Sequence, residues 1–214
     1  MAEVKFCQTK KVYEIISDFT KYDDSNRYKS WEFCYSEFKK VKDQTLTDGL
    51  QEKLSLHLMG YLASWGMYRG STKLLKEYNY MVHKGLIPLL FRGESKRLFD
   101  INPLTESKEF CKILDNTYFS IENYYKNLSG GGFKPTKTLV TKILLGVYGC
   151  IPAYDINVYT ALSHFGIRSN KFDDLINAIK SDAEFITQCK QAIQKYPQFT
   201  FMKIVDMFLW EMGS

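Results

Sequence analysis

Residues Leu128–Leu162, LSGGGFKPTKTLVTKILLGVYGCIPAYDINVYTAL, set the reading of the whole chain. Three consecutive glycines open the stretch, and a run with Val140, Ile143, Leu144 and Val147 at helical spacing follows. The run stops at Gly149, passes through Ile151-Pro152-Ala153-Tyr154, and restarts at Asp155 as a second apolar helix. A glycine after the last periodic residue ends a helix, and an aspartate before the next periodic run caps one. Helices are therefore predicted over 136–148 and 156–165, joined by a short turn that places Asp155 at an N-cap.

The same spacing of apolar residues recurs from end to end, with little alternation of period two and only five prolines. The chain is predicted to be all-α, with further helices over 8–18, 28–42, 48–67, 71–84, 105–127, 171–194 and 199–212, nine to ten in all. The connections are short, and no repeat, low-complexity run or shift of composition marks a boundary, so residues 1–214 read as one globular unit. With 45% hydrophobic and 15% aromatic residues in 214, a sizeable core is available.

The net charge of +5 permits contact with a polyanion without demanding it. The five cysteines, Cys7, Cys34, Cys111, Cys150 and Cys189, form no paired or clustered metal signature and read as reduced, buried thiols. The opening MAEVKFCQTKK lacks the apolar run of a signal peptide, and no stretch is long and apolar enough for a membrane span, so a cytoplasmic monomer without a membrane partner is expected. There is no P-loop, GxGxxG or HExxH, and no metal or other cofactor is expected.

Gly130, Gly131 and Gly132 free the backbone for positive φ and close approach to a ligand, and successive amides beside a helix N-terminus make an anion site. Pro135 is expected in the first turn of the helix that follows. The alternative is a flexible linker or helix cap. Taken by themselves, Lys137 reads as a solvated lysine in a first turn and Asp155 as an N-cap. Tyr154 reads as a pocket wall or a core tyrosine.

Leu54, Leu58, Tyr61, Leu62 and Trp65 form one helical stripe, and Trp31 with Tyr35 forms another, both most economically core. Beyond Trp65 the chain crowds Gly66, Tyr68, Arg69 and Gly70 into a corner, which reads as a tight helix junction or as an aromatic pocket able to hold an unstacked base.

Residues 128–162 resemble the helix-hairpin-helix DNA glycosylases of the endonuclease III and alkyladenine-glycosylase type, on the glycine hairpin, the eighteen residues from Lys137 to Asp155 and the Ile-Pro-Ala-Tyr-Asp turn. The hairpin departs from the family's Leu-Pro-Gly-x-Gly by a serine for the proline, and Tyr154 is inserted before the acid. The four-cysteine cluster of the endonuclease III-like members is missing, so no iron–sulfur centre is expected.

The resemblance implies a two-lobed helical fold with a cleft, residues 28–165 forming one lobe and residues 1–27 with 166–214 the other, so that Val12–Phe19 packs near Phe199–Met212. It also implies a glycosylase that flips a damaged or modified base out of duplex DNA, in repair or against phage. Asp155 and Lys137 would be catalytic, the lysine conferring abasic-site lyase activity, with Lys134 and Lys142 the next candidates for that amine. Ser129, Gly130, Gly131, Gly132, Lys134 and Thr136 would hold the strand, and Trp65, Tyr68, Arg69 and Tyr154 would line the pocket. A non-catalytic helical DNA-binding or protein-interaction module is the competing reading.

Overall fold

The computed structural model describes residues 5–6, 11–68, 74–128, 133–168 and 171–214, and among these there is no strand. Eleven α-helices are described: α1 Val12–Thr20, α2 Ser30–Lys40, α3 Asp48–Ser64, α4 Leu74–Glu77, α5 Ile87–Leu90, α6 Ser107–Lys126, α7 Lys137–Tyr148, α8 Ile156–His164, α9 Phe172–Ser181, α10 Ala183–Lys195 and α11 Phe201–Met212. Short 3-10 turns occupy Arg27–Lys29, Tyr80–His83 and Gly93–Phe99.

The all-α expectation holds, with three corrections of detail. The helix expected over 171–194 is two helices, broken at Asp182. This residue leaves helical geometry (φ −111°, ψ 87°), accepts a hydrogen bond from the Phe185 N–H at 2.9 Å and caps α10. Its other carboxylate oxygen accepts from the Phe6 N–H at 2.8 Å, so the break also tethers the chain's beginning. The helix expected over 71–84 is reduced, in its described part, to α4 and a 3-10 turn. Asn79 starts that turn by accepting from the Met81 N–H at 2.9 Å. Pro135 lies outside α7, because Thr136 is the N-cap and accepts from the Leu139 N–H at 3.2 Å.

Burial explains the arrangement. α7 is buried on all sides: every residue from Leu139 to Tyr148 is buried, Thr141 and Lys142 among them. It packs against α2, α3 and α6. Trp31 and Tyr35 of α2 are core as expected, their rings stacked at 4.7 Å, and the Trp31 indole N–H donates to the Leu145 carbonyl at 2.7 Å. α11 packs on α1, α8 and α10, so Val12–Thr20 does meet the C-terminal helix. Apart from Val82, the buried apolar side chains of the described residues form one cluster that reaches from Phe6 to Leu209.

Candidate functional site

The turn between α7 and α8 is held from three directions. Gly149 ends α7 in the left-handed region (φ 61°), its N–H donating to the Leu145 carbonyl at 2.9 Å. A Cβ at this position would stand 2.7 Å from Thr200 Cγ2, so both the backbone angle and the close approach require glycine. The Thr200 hydroxyl, which caps α11, donates to the Gly149 carbonyl at 2.6 Å. Further along, the Ala153 N–H donates to Asp206 Oδ1 at 2.9 Å, and the Tyr154 N–H donates to the Thr141 hydroxyl at 2.9 Å. The Thr138 hydroxyl donates to the Tyr154 carbonyl at 2.8 Å.

This clamp delivers Asp155 to the start of α8. Its Oδ1 accepts from the Val158 N–H at 3.2 Å, the cap expected from the sequence. Its Oδ2 takes an ion pair with Lys142 Nζ at 2.9 Å. The lysine side chain is only 4% exposed and the carboxylate 17%, so the ammonium is inside the protein while the aspartate keeps access to solvent. A carboxylate has about four lone-pair positions, which leaves acceptor capacity beyond the bonds to Val158 and Lys142.

The aspartate opens into a concavity of about 430 Å³ lined by Arg27, Ser64, Trp65, Lys142, Asp155, Ile156, Asn157 and Trp210, among others. Trp65 is its central surface. Lys142 Nζ lies 4.9 Å, Arg27 Cζ 5.4 Å and Lys203 Nζ 5.9 Å from its ring, and Trp210 meets it edge-on at 6.2 Å. The Trp65 indole N–H is buried with no partner. Behind it a second buried ion pair joins Lys203 and Asp206 at 2.7 Å, and Asp206 is the residue that holds Ala153. The two pairs and the tryptophan thus form one charged, aromatic floor under the turn.

The other expected site residues fall elsewhere. Lys137 does not share the Asp155 concavity. Its amine lies 4.1 Å from the Tyr154 ring centroid and 4.8 Å from that of Phe172, at a separate concavity. Burial lowers its pKa to about 8, against a raising influence from Asp115. Tyr154 is fully buried, with its hydroxyl unpartnered, and is a core residue rather than a wall of the Asp155 pocket. Tyr68 is buried as well, its hydroxyl 2.6 Å from His83 Nε2 and away from the aspartate.

Lys134 and Thr136 are exposed, with Thr136 serving as the cap of α7. Ser129, Gly130, Gly131, Gly132 and Arg69 lie outside the described residues. Among the described residues no cluster of histidine, cysteine or carboxylate side chains could hold a metal ion, and no helix is long and apolar enough to cross a membrane.

Sequence reasoning gave Lys142 only a reserve role and missed Arg27, Lys203, Asp206 and Trp210. A signal was present: Lys142 is a charge in the middle of a run apolar on every face, as are Lys203 and Asp206 within FMKIVDMF. Such charges are rarely buried without a partner, so each predicts one. Compared with known proteins, the chain matches no family model, no curated sequence and no solved structure.

Proposed function

We propose that the protein is a DNA N-glycosylase whose reaction takes place in the Asp155 pocket. The observation that carries this reading is the partly exposed Asp155 carboxylate, fixed by Lys142 and a helix start, at the floor of a concavity walled by Trp65 and Trp210. About 430 Å³ lies within the range of small-ligand sites and suits a nucleoside drawn out of a duplex. Base stacking on an aromatic side chain is worth roughly 1–3 kcal/mol, and two tryptophans at the pocket supply such faces. Arg27 at the rim offers a cation for a backbone phosphate, in keeping with the net charge of +5.

As the base departs, the sugar gains oxocarbenium character, and a carboxylate held against it stabilises that charge or takes the proton of the attacking water. The lysine that shares the pocket with this carboxylate is Lys142. An imine formed with abasic DNA is therefore expected at Lys142, which lines the Asp155 concavity, rather than at Lys137, which lines another.

The test is release of free base from duplexes carrying alkylated, deaminated or oxidised bases. Wild-type protein is expected to release one of these, and Asp155→Asn and the double variant Lys142→Met/Asp155→Asn to release none. The double variant removes both charges together, so loss of activity is read without a stranded ammonium. Wild-type turnover in the double variant would remove Asp155 from the chemistry. DNA binding with no base released from any duplex would leave a non-catalytic binding module.

A further inference from the structure

Where Thr200 meets Gly149, a crevice of about 140 Å³ lies between the end of α7 and the start of α11. It shares no lining residue with the Asp155 pocket. Leu98, Phe110, Tyr148 and Met202 are buried and form its floor, while half-buried Phe99, Ile101 and Phe201 stand at its rim. Among the described residues that line it, none is acidic or basic, and burial raises the pKa of the Cys150 thiol and of the Tyr148 hydroxyl, so both stay uncharged. The donor hydrogens of its polar side chains are already engaged. The Tyr148 hydroxyl donates to the Leu90 carbonyl at 2.6 Å, the Cys150 thiol to the Leu144 carbonyl at 3.8 Å and the Thr200 hydroxyl to the Gly149 carbonyl at 2.6 Å. A confined water needs about two to four polar partners, which these side chains do not offer. Water so poorly held is displaced by an apolar group with a gain in affinity.

We infer that this crevice binds a small uncharged aromatic molecule of a single ring, which holds the α7–α8 turn against α11. The size fits, since an apolar cavity of roughly 150 Å³ accepts benzene. The walls favour a ring over an aliphatic chain. Phe99 already meets Tyr148 edge-on at 4.8 Å, and Phe110, Phe201 and the Met202 thioether offer further aromatic and sulfur contacts to a ring between them. Such a ligand touches Tyr148 and Cys150 at the end of α7 and Phe201 and Met202 at the start of α11. These are the two elements that the Thr200–Gly149 hydrogen bond joins. A ligand that fits only the closed arrangement suppresses its local opening by mass action, so the turn that carries Asp155 opens less often when the crevice is filled.

The probe is fluorobenzene, added to the full chain with its methionine methyl groups isotopically labelled for NMR. Among the described methionines only Met202 lines the crevice, and its resonance is identified by its loss in Met202→Leu. That resonance is expected to shift saturably, with half-saturation at about a millimolar, the strength open to a ligand of so few heavy atoms. Ile101→Phe, which enlarges a half-buried rim residue, should weaken binding at least about tenfold by filling the space. Benzoate, the same ring carrying a charge, should leave Met202 unmoved at the same concentration. Amide exchange over residues 149–155 should slow as the crevice fills. No shift up to the solubility limit, an equal shift with benzoate, or undiminished binding by Ile101→Phe would overturn the site. A saturable Met202 shift with exchange unchanged would overturn its hold on the turn. None of these measurements uses DNA, so the crevice and the glycosylase reading stand or fall apart.

Discussion

Lys142 and Asp155 divide one ion pair unequally, and the asymmetry decides what substitutions do. The lysine is 4% exposed and the aspartate 17%, so removing the carboxylate strands a buried ammonium, whereas removing the ammonium leaves a carboxylate that water can reach. Asparagine at 155 can still cap α8, yet Asp155→Asn is expected to lower stability by about 3 kcal/mol, and Lys142→Met added to it to recover most of that loss. Urea unfolding of the wild type and the two variants measures both values. A single Asp155→Asn variant as stable as the wild type would mean that the pair contributes only the cap. The cap itself was legible, because an aspartate after a Pro-Ala-Tyr turn and before an apolar run admits few other roles. The partner was not, since the thirteen residues from Lys142 to Asp155 span a helix and a turn whose path only packing fixes.

At the level of elements, most helices could be read from periodicity, and the failures share a cause. Apolar residues recur at helical spacing in both α9 and α10 with no glycine or proline between them, so spacing alone gave one helix, while the break comes from two hydrogen bonds to Asp182, one of them from Phe6, 176 residues away. The stretch from Tyr80 to Phe99 has no amphipathic period because it is built from short turns.

One of those turns carries His83, fully buried, with its ring nitrogens 2.6 Å from the hydroxyls of Tyr68 and of Tyr125 on α6. A neutral imidazole donates from one nitrogen and accepts at the other, so this chain links three segments only while the ring is uncharged. Burial lowers the His83 pKa to about 3, whereas the unfolded chain titrates near 6.5. The unfolded state thus binds the proton first. The stabilisation is complete above pH 6.5 and is lost as pH falls from 6.5 toward 3, on the order of 4 kcal/mol over the window. His83→Gln keeps a donor and an acceptor but does not titrate. The wild type should therefore lose stability faster than this variant between pH 6.5 and 5 in urea unfolding. Parallel pH profiles would contradict a buried neutral histidine.

For the whole molecule, α11 is the element on which the ends and the middle of the chain converge. It packs on α1, α8 and α10, holds the α7–α8 turn through Thr200 and Asp206, and contributes Trp210 to the pocket. The resemblance pointed to Asp155, and composition and periodicity to a basic, helical protein, but none of them to the face of the molecule on which the aspartate would open. That depends on α11, which is 40 or more residues further along the chain.

The protein's three tryptophans make the pocket directly observable, since Trp31 is fully buried while Trp65 and Trp210 line the concavity. The decisive measurement is a tryptophan fluorescence titration of the Lys142→Met/Asp155→Asn protein with duplexes carrying the alkylated, deaminated or oxidised bases that the proposed reaction would release. A base drawn in against Trp65 and Trp210 should quench the emission, and adding Trp65→Phe and Trp210→Phe should abolish the quench while DNA remains bound. Bound DNA without any quench, or a quench that persists with Trp31 as the sole tryptophan, would contradict the placement of the reaction in the Asp155 pocket.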